Sequence, residues 1–284
     1  MNQPNSFPFE DFGGVGPVLH FAHANGYPPL AYRPLLERLS ATYHVVAMRM
    51  RPLWPDSDPA SYSDWRFLSD DLSQFLDQQG LNQIIGVGHS MGAIATLRLA
   101  LRQPNRFTAL VLIDPVLFPP AMIRGWNLIY QQGLAYRLHP MVRATLRRRT
   151  CFESKSSMYV NYRTKKVFSR LSDEQLQAYV DALACPDADG QIRLCYPADW
   201  EARIYVTGIR ADLEIWRAIP NLKPPVLFIQ GSETDTFLSS TVRMLQKRLP
   251  SAQFATIMDS THLVPLEKTD QVFERTIQFL SQGK

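Results

Sequence analysis

The chain has 284 residues, of which 45% are hydrophobic, and a formal net charge of +4. This length can form a sizeable core, as one large α/β domain with an insertion or as two domains. The N-terminal residues lack the pattern of a secretion signal, and no apolar stretch is long enough to span a bilayer. Cys151, Cys185 and Cys195 fit neither a disulfide framework nor a metal site, so we expect reduced thiols in a cytoplasmic protein.

Strands and helices alternate through the first third of the chain. Short apolar runs predict strands at 18–23, 44–50, 84–89 and 109–115. Helical spacing of apolar residues predicts helices at 29–40, 63–80 and 91–104. Because these strands are apolar on both faces, the pattern predicts a parallel sheet covered by helices on both sides.

The alternation lapses after residue 115 and returns at residue 223. The later elements are predicted as strand 225–232, helix 239–250, strand 252–259 and helix 265–280. We therefore predict an α/β core made of residues 1–115 and 223–284, with a helical lid at 116–222 that contains no clear buried strand. The lid leaves the core where a strand ends, so it rises from the carboxyl edge of the sheet, where open α/β sheets place ligands.

Basic residues concentrate inside the predicted lid. Residues 137–170 contain ten Lys or Arg against one acid, Glu153. A solvated helix face accounts for this block, and a weak contact with an anionic surface is the functional alternative. The block carries no recognition motif for nucleic acid, so we expect no nucleic-acid partner.

A serine between two glycines separates the third strand from its helix. The residues Gly88-His89-Ser90-Met91-Gly92 require the chain to turn from strand to helix within one residue, which forces Ser90 into strained backbone angles. Glycine on both sides removes side chains that would collide with the turn. The N-terminus of the following helix favours a negative charge at the same place. An exposed hydroxyl beside an anion site suits acyl transfer.

The motif GHSMGA resembles the nucleophile elbow of the α/β-hydrolase family, and the order of elements resembles that fold over nearly the whole chain. The resemblance implies Ser90 as nucleophile and His262, which follows the last predicted strand, as general base. It places the acid after the penultimate strand. There Asp235, in QGSETDTF, falls one residue later than the family's usual Gly-x-x-Asp and shares its loop with Glu233. We assign the acid to Asp235, with Asp114 as the fallback used by some relatives.

The resemblance also implies an oxyanion hole. The family's second donor follows an early strand, usually in His-Gly-x, whereas this chain has His23-Ala24-Asn25-Gly26. By position, the backbone N–H groups of Asn25 and Met91 are the two donors, and His23 bonds loop backbone.

Aromatic residues near the predicted site are candidates for substrate binding. Trp54 stands between two prolines and either walls the pocket or packs in the core. Phe118 and Trp126 belong to the lid, where they either line an acyl-binding cavity or form the lid's own core. Of these alternatives we assign Trp54, Phe118 and Trp126 to substrate binding.

The function implied by the resemblance is a serine hydrolase that cleaves a carboxylic ester of a hydrophobic or aromatic small molecule without metal or organic cofactor. Thioester, lactone, amide and C–C bond cleavage, acyl transfer and perhydrolysis are related chemistries that the sequence does not separate. A serine at position 90 argues against epoxide hydrolases and haloalkane dehalogenases, which use aspartate. The alternative outside enzymology is a ligand-binding protein on the same scaffold. The sequence does not indicate an oligomeric state.

Overall fold

The computed structural model describes residues 6–282, which contain ten strands and thirteen α-helices. The strands are β1 (Phe9–Gly13), β2 (Val18–Ala22), β3 (His44–Met48), β4 (Ile84–His89), β5 (Phe107–Ile113), β6 (Cys151–Phe152), β7 (Ala184–Pro186), β8 (Ile192–Leu194), β9 (Val226–Gly231) and β10 (Gln253–Ile257). The helices are α1 (Arg33–Ser40), α2 (Arg66–Gln78), α3 (Met91–Arg102), α4 (Pro120–Gln131), α5 (Ala135–Leu138), α6 (Pro140–Arg147), α7 (Lys155–Arg163), α8 (Asp173–Leu183), α9 (Ala198–Thr207), α10 (Leu213–Ala218), α11 (Ser239–Arg248), α12 (Val264–Glu267) and α13 (Thr269–Ser281).

Seven strands form one sheet in the order β1-β3-β2-β4-β5-β9-β10. β1 is antiparallel to β3 at one edge, and the other neighbouring pairs are parallel. Because strands β2, β4, β5 and β9 run side by side in one direction, their carboxyl ends meet at one edge. This edge is where the residues of the candidate site come together.

Helices cover both faces of this sheet. Along β5, Leu110 and Leu112 belong to one hydrophobic cluster, whereas Val111 and Ile113 belong to another. Successive side chains of a strand point to opposite faces, so each face carries its own core. Helices α2, α3 and α11 contribute buried residues to the first cluster, and α1, α8 and α13 contribute to the second. The predicted α/β fold, with a mostly parallel sheet and helices on both sides, is confirmed.

The edge strand β1 was not predicted. Its sequence, FEDFG, leaves its side chains exposed or half-buried, so it lacks the apolar run that marks the other strands. It pairs through backbone hydrogen bonds with β3, about 35 residues away, and that pairing depends on the free edge of the assembled sheet.

The segment between β5 and β9 contains α4 to α10 and a small antiparallel sheet in the order β6-β8-β7. We call residues 116–222 the insertion. The insertion was expected to be helical with no clear buried strand; the structure adds this small sheet, whose strands are two or three residues long. Such short strands carry too few residues for an alternating pattern to stand out.

A disulfide joins Cys185 and Cys195, which contradicts the expectation that all three cysteines are reduced. Strands β7 and β8 form a hairpin and bring the two Cα atoms within 5.3 Å, a separation that suits a disulfide. The hairpin that creates this proximity was not predicted, so the cysteine spacing alone did not indicate the bond. Cys151 carries a free thiol.

A buried ion pair fastens the insertion to the core. Arg98 on α3 donates to Asp212 at 2.7 Å and to Glu214 at 2.8 Å, and the side chains of Arg98 and Asp212 are both buried. A buried charge left without its partner is strongly destabilising, so these groups hold α3 and α10 together. Within residues 6–282, no helix combines the length and the apolar character needed to cross a membrane.

Candidate active site

Ser90 lies in a sharp turn between β4 and α3, with φ 56° and ψ −118°. The neighbouring glycines allow this turn because nothing larger fits. A Cβ on Gly88 would lie 2.7 Å from the backbone nitrogen of Ala93, and one on Gly92 would lie 2.1 Å from the carbonyl oxygen of Ala22. The strained angles therefore place the Ser90 side chain at the carboxyl edge of the sheet, beside the N-terminus of α3.

His262 joins Ser90 to a carboxylate. Its Nε2 lies 2.9 Å from Ser90 Oγ, and its Nδ1 lies 2.8 Å from Asp114 Oδ1. An ionised carboxylate only accepts hydrogen bonds, so the proton is assigned to Nδ1 and Nε2 accepts from the serine hydroxyl. The three side chains form one hydrogen-bonded series, in which Ser90 is the predicted nucleophile and His262 the predicted base.

Asp114 follows β5, the strand beside β4, and is completely buried. Besides His262 Nδ1, its carboxylate accepts from the backbone N–H of Gly231 at 3.0 Å and from the hydroxyl of Thr234 at 2.6 Å. Three donors compensate the buried negative charge and fix the orientation of the carboxylate. Asp114 has φ 41°, so this position is a second strained residue in the site.

The structure corrects the placement of the acid, because Asp235 does not contact His262. The side chain of Asp235 is exposed and accepts a hydrogen bond from Thr236 Oγ1 at 3.1 Å. Glu233, in the same loop, pairs with Arg170 at 2.6 Å. The loop after β9 instead contributes Thr234, which donates to Asp114. In QGSETDTF the aspartate falls one residue later than the family spacing, and this was the sequence signal that Asp235 would not contact His262.

The predicted oxyanion loop is a tight turn after β2. The N–H of Tyr27 donates to the carbonyl of Ala24 at 3.2 Å, and Gly26 has φ 77°, as the third position of a type II turn requires. Within residues 6–282, neither the N–H of Asn25 nor that of Met91 donates to an acceptor of the protein. Both donors are therefore available to an external oxygen atom.

His23 bonds loop backbone, as its position in the sequence predicts. Its Nδ1–H donates to the carbonyl of Ala24 at 2.8 Å, and its Nε2 accepts from the N–H of Met50 at 3.0 Å. Burial lowers the pKa of His23 to about 4, so the ring is neutral near pH 7 and can accept at Nε2.

The insertion holds the oxyanion loop through the side chain of Asn25. Tyr196 Oη donates to Asn25 Oδ1 at 2.9 Å, and Asn25 Nδ2 donates to the carbonyl of Glu201 at 3.1 Å. We call these two bonds the Asn25 clamp. Asn25 and Tyr196 are both buried. Sequence reasoning assigned a role only to the backbone of Asn25 and missed the role of its amide.

A buried ion pair lies directly above the same loop. Glu201 pairs with Arg148 and also accepts from Thr145 Oγ1 at 3.3 Å. Gly26 has φ 77°, which favours glycine, and a Cβ there would also crowd the Glu201 carboxylate at 3.2 Å. The ion pair therefore fixes the position of α9 over the turn.

His89 connects the oxyanion loop to the loop that carries His262. The N–H of Ala24 donates to Tyr32 Oη at 3.3 Å, Tyr32 Oη donates to His89 Nδ1 at 2.7 Å, and His89 Nε2 donates to the carbonyl of His262 at 2.8 Å. Burial holds the pKa of His89 well below its usual range, so the ring is neutral and carries one donor and one acceptor. Sequence reasoning assigned His89 no role.

Trp54 packs in the hydrophobic core. Its Nε1 donates to the carbonyl of Arg49 at 2.5 Å, and its ring meets Phe7 edge-on at 5.2 Å. The residue is buried, and none of its hydrogen bonds or ring contacts reaches Ser90 or His262. Of the two alternatives for this residue, these contacts favour packing.

Phe118 and Trp126 are half-buried in the insertion. Phe118 lies four residues beyond Asp114, and its carbonyl accepts from Trp216 Nε1 at 2.7 Å. Trp126 Nε1 donates to the carbonyl of Val206 at 3.2 Å, and Trp126 packs in a small cluster of the insertion itself. A role of either residue in substrate binding stays a prediction.

The assembled groups can attack a carbonyl carbon and stabilise the oxyanion that forms. In such a reaction Ser90 would supply the nucleophile, His262 the base, and the N–H groups of Asn25 and Met91 the free donors. Among the residues that the structure describes, no three His, Cys, Asp or Glu side chains are grouped so that they could hold a metal ion.

Comparison with known proteins identifies the family. The model described as "Alpha/beta hydrolase family" matches residues 21–275. The "Putative non-heme chloroperoxidase" of Synechocystis sp. is 26% identical over 279 residues, which cover 96% of this chain and 94% of that protein. Esterase YbfF of Escherichia coli (strain K12) is 24% identical over 236 residues, which cover 83% of this chain and 81% of the esterase.

A solved structure has the same fold. The crystal structure of E-2-(acetamidomethylene)succinate hydrolase matches with a TM-score of 0.77 at 17% identity, and the match covers 96% of this chain and 94% of the other. At this identity the likeness extends to the fold alone. The family model, which covers most of the chain, goes further, and the protein is a member of the α/β-hydrolase family.

Proposed function

We propose that the protein is a serine hydrolase that cleaves a carboxylic ester of a hydrophobic or aromatic small molecule through an acyl-enzyme on Ser90. The observation that carries this proposal is the position of His262, whose two ring nitrogens contact Ser90 Oγ and Asp114 Oδ1 at 2.9 and 2.8 Å. The family assignment and the likeness to an esterase over most of both chains support hydrolysis of this kind.

In the first half of the reaction, His262 Nε2 takes the proton of Ser90 while Oγ attacks the ester carbonyl. Negative charge then develops on the carbonyl oxygen. The N–H groups of Asn25 and Met91 and the positive end of α3 stabilise it. The Asp114 carboxylate offsets the charge of the imidazolium and keeps its Nδ1 proton in place. His262 then gives its proton to the departing alcohol.

In the second half, water attacks the acyl group on Ser90. His262 takes a proton from this water, and the same two N–H groups stabilise the second oxyanion. The collapse of the intermediate returns the proton to Ser90 Oγ and releases the carboxylic acid. Every proton transfer in the cycle uses Nε2, so the Nδ1–Asp114 bond persists throughout.

Replacement of the nucleophile tests this proposal. Ser90→Ala should abolish turnover of p-nitrophenyl esters and covalent labelling by a fluorophosphonate probe, with the melting temperature retained. The control is Ser69→Ala, which removes another buried hydroxyl, on α2, that donates to the backbone carbonyl of Arg66 and accepts from Arg102 Nη2 at 3.2 Å. It should keep both activities. Undiminished ester turnover by Ser90→Ala would contradict the proposal. A wild-type protein that the probe labels but that turns over no ester would instead favour a ligand-binding protein.

The relative named for chloroperoxidase favours a second candidate reaction. In it, hydrogen peroxide replaces water as the acceptor of the acyl group, and a peracid leaves Ser90 in place of the carboxylic acid. The acyl-enzyme is common to both reactions. Measurement of peracid formation when hydrogen peroxide is added to the ester assay distinguishes them, and a screen of esters, thioesters and lactones tests the substrate class.

A further inference from the structure

Large apolar side chains are exposed on one short part of the insertion. Of the twelve exposed large hydrophobic residues within residues 6–282, five lie between positions 134 and 146, namely Leu134, Tyr136, Leu138, Met141 and Leu146. They belong to α5, to α6 and to the residue before α5. We call the exposed side chains of residues 134–147 the 134–147 surface. Such a concentration of exposed apolar groups marks an interaction site.

The same surface carries positive charge without acidic neighbours in sequence. Residues 115–152 contain no Asp or Glu. Arg137, Arg143 and Arg147 are exposed, and within residues 6–282 none of the three forms an ion pair. Their charges are therefore free to attract an external anion.

The rest of the basic block is partly neutralised. Four of its seven cations pair with acids outside the block: Arg148 with Glu201, Lys155 with Asp181, Arg163 with Asp173, and Arg170 with Glu233. The other three form no ion pair within residues 6–282, but only the first part of the block combines unpaired cations with five exposed large apolar side chains. That part is the 134–147 surface.

Helix α6 presents its cations outward. It buries only Val142 and Thr145, which face α9. On a helix with 3.6 residues per turn, Arg143 and Arg147 lie on the opposite side, and Met141 and Leu146 flank them. The exposed side of α6 therefore presents cations and apolar side chains together, and both kinds of group contribute to binding at an anionic membrane interface.

We propose that the 134–147 surface binds an anionic lipid bilayer. The arginines pair with lipid phosphates, and the neighbouring apolar side chains enter the boundary between the headgroups and the acyl chains. Charge favours this occupant over a second copy of the chain. A symmetric dimer through this surface would bring the three arginines of one copy toward the same three of the other. The binding does not require the serine chemistry, and Ser90→Ala is expected to bind as the wild type does.

Charge reversal on α6 tests the electrostatic part of the proposal. The full chain is sedimented with vesicles of phosphatidylcholine and phosphatidylglycerol and, separately, with vesicles of phosphatidylcholine alone. Wild-type protein should bind the anionic vesicles preferentially and release them as salt is raised. Arg143→Glu/Arg147→Glu should weaken this binding by at least about 30-fold, since each basic residue near such a surface contributes about a factor of five or more.

The chain provides a matched control on α11. Arg243 and Lys247 are also exposed, unpaired within residues 6–282 and four residues apart, so Arg243→Glu/Lys247→Glu has the same net charge as the α6 variant. It should retain binding. Equal losses in both variants, or equal binding of the wild type to charged and neutral vesicles, would overturn the proposal.

Removal of apolar side chains tests the second part. Leu138→Gln/Leu146→Gln should weaken vesicle binding by roughly tenfold at any salt concentration, because less apolar area enters the interface. The control, Val15→Gln/Met258→Gln, alters two exposed residues that lie outside the insertion and should leave binding unchanged. Sedimentation velocity completes the test by measuring the oligomeric state. If the wild type is a dimer that the variants of the 134–147 surface dissociate, and no vesicle binding is seen, the surface binds a second copy of the chain and the lipid proposal is refuted.

Discussion

At the scale of single residues, local signals indicated Ser90 and His262, the proposed nucleophile and base, but not Asp114, the carboxylate that contacts His262. The glycines beside Ser90 and the position of His262 after the last strand can be read from neighbouring residues alone. The choice between Asp114 and Asp235 cannot, because the ends of β5 and β9 meet at the same edge of the sheet. Only the packing of the His262 loop against Gly231, where a Cβ would lie 2.3 Å from the carbonyl of Thr261, brings the imidazole to Asp114.

A pair of conservative substitutions tests the assignment of the acid. Asp114→Asn should lower kcat for ester hydrolysis by about 10⁴-fold, because a neutral amide neither holds the proton on Nδ1 nor stabilises the imidazolium. Asp235→Asn removes an exposed carboxylate and should change kcat by less than about twofold. Steady-state kinetics on one p-nitrophenyl ester measure both. The reverse order of effects would return the role to Asp235.

At the scale of elements, the insertion takes part in building the site. The Asn25 clamp joins α9 and the segment between β8 and α9 to the loop after β2, across more than 170 positions in sequence. No spacing rule relates residues that far apart, so this link could not be predicted. The disulfide at Cys195 precedes Tyr196 directly and fixes the end of β8 from which the clamp extends.

The Asn25 clamp leads to a prediction for Tyr196→Phe. The loss of one hydrogen bond to the Asn25 amide should loosen the oxyanion loop and lower kcat by about tenfold, with little change in KM. Tyr62→Phe is the matched control, since Tyr62 is equally buried and its hydroxyl has no partner within residues 6–282. It should keep wild-type kcat. A fall in melting temperature for Tyr196→Phe without any fall in kcat would show that the tyrosine only stabilises the fold.

At the scale of the whole molecule, the period of the hydrophobic pattern predicted the parallel sheet because its central strands are buried on both faces. The parts that were missed, β1 and the small sheet of the insertion, have mostly exposed or half-buried residues, so they lack the apolar runs of the central strands. Buried histidines were also beyond sequence reasoning. His20 and His23 are both fully enclosed next to the sheet edge, a fact set by the packing of α2 and the loop after β3.

These two histidines predict how stability depends on pH. Burial lowers the pKa of His20 to about 3 and that of His23 to about 4, whereas both titrate near 6.5 in the unfolded chain. Below that value the unfolded state binds protons that the folded state does not, so stability falls as pH falls toward the folded pKa values. Each histidine should remove about 2 kcal/mol of unfolding free energy between pH ~6.5 and pH ~5.

Urea unfolding at a series of pH values measures this dependence. His20→Gln should be less stable at neutral pH, and its stability should fall less steeply in acid, because the unfolded state has lost one histidine that takes up a proton there. Tyr62→Phe, which changes a buried residue that does not titrate in acid, should keep the wild-type slope. Identical slopes for His20→Gln and the wild type would contradict the role assigned to burial.

The Asn25 clamp has one consequence for the range of molecules that the enzyme accepts. Helix α9 supplies part of the clamp, because the carbonyl of Glu201 accepts from the Asn25 side chain. A shift of α9 that made room for a bulkier substrate would therefore also move the backbone N–H of Asn25, the proposed donor to the oxyanion. Under the proposed mechanism, a poorly fitting ester is rejected twice, by weaker association and again by slower bond breaking. Selectivity of this kind needs no separate recognition residue, because the rate of bond breaking itself depends on how well the substrate fits.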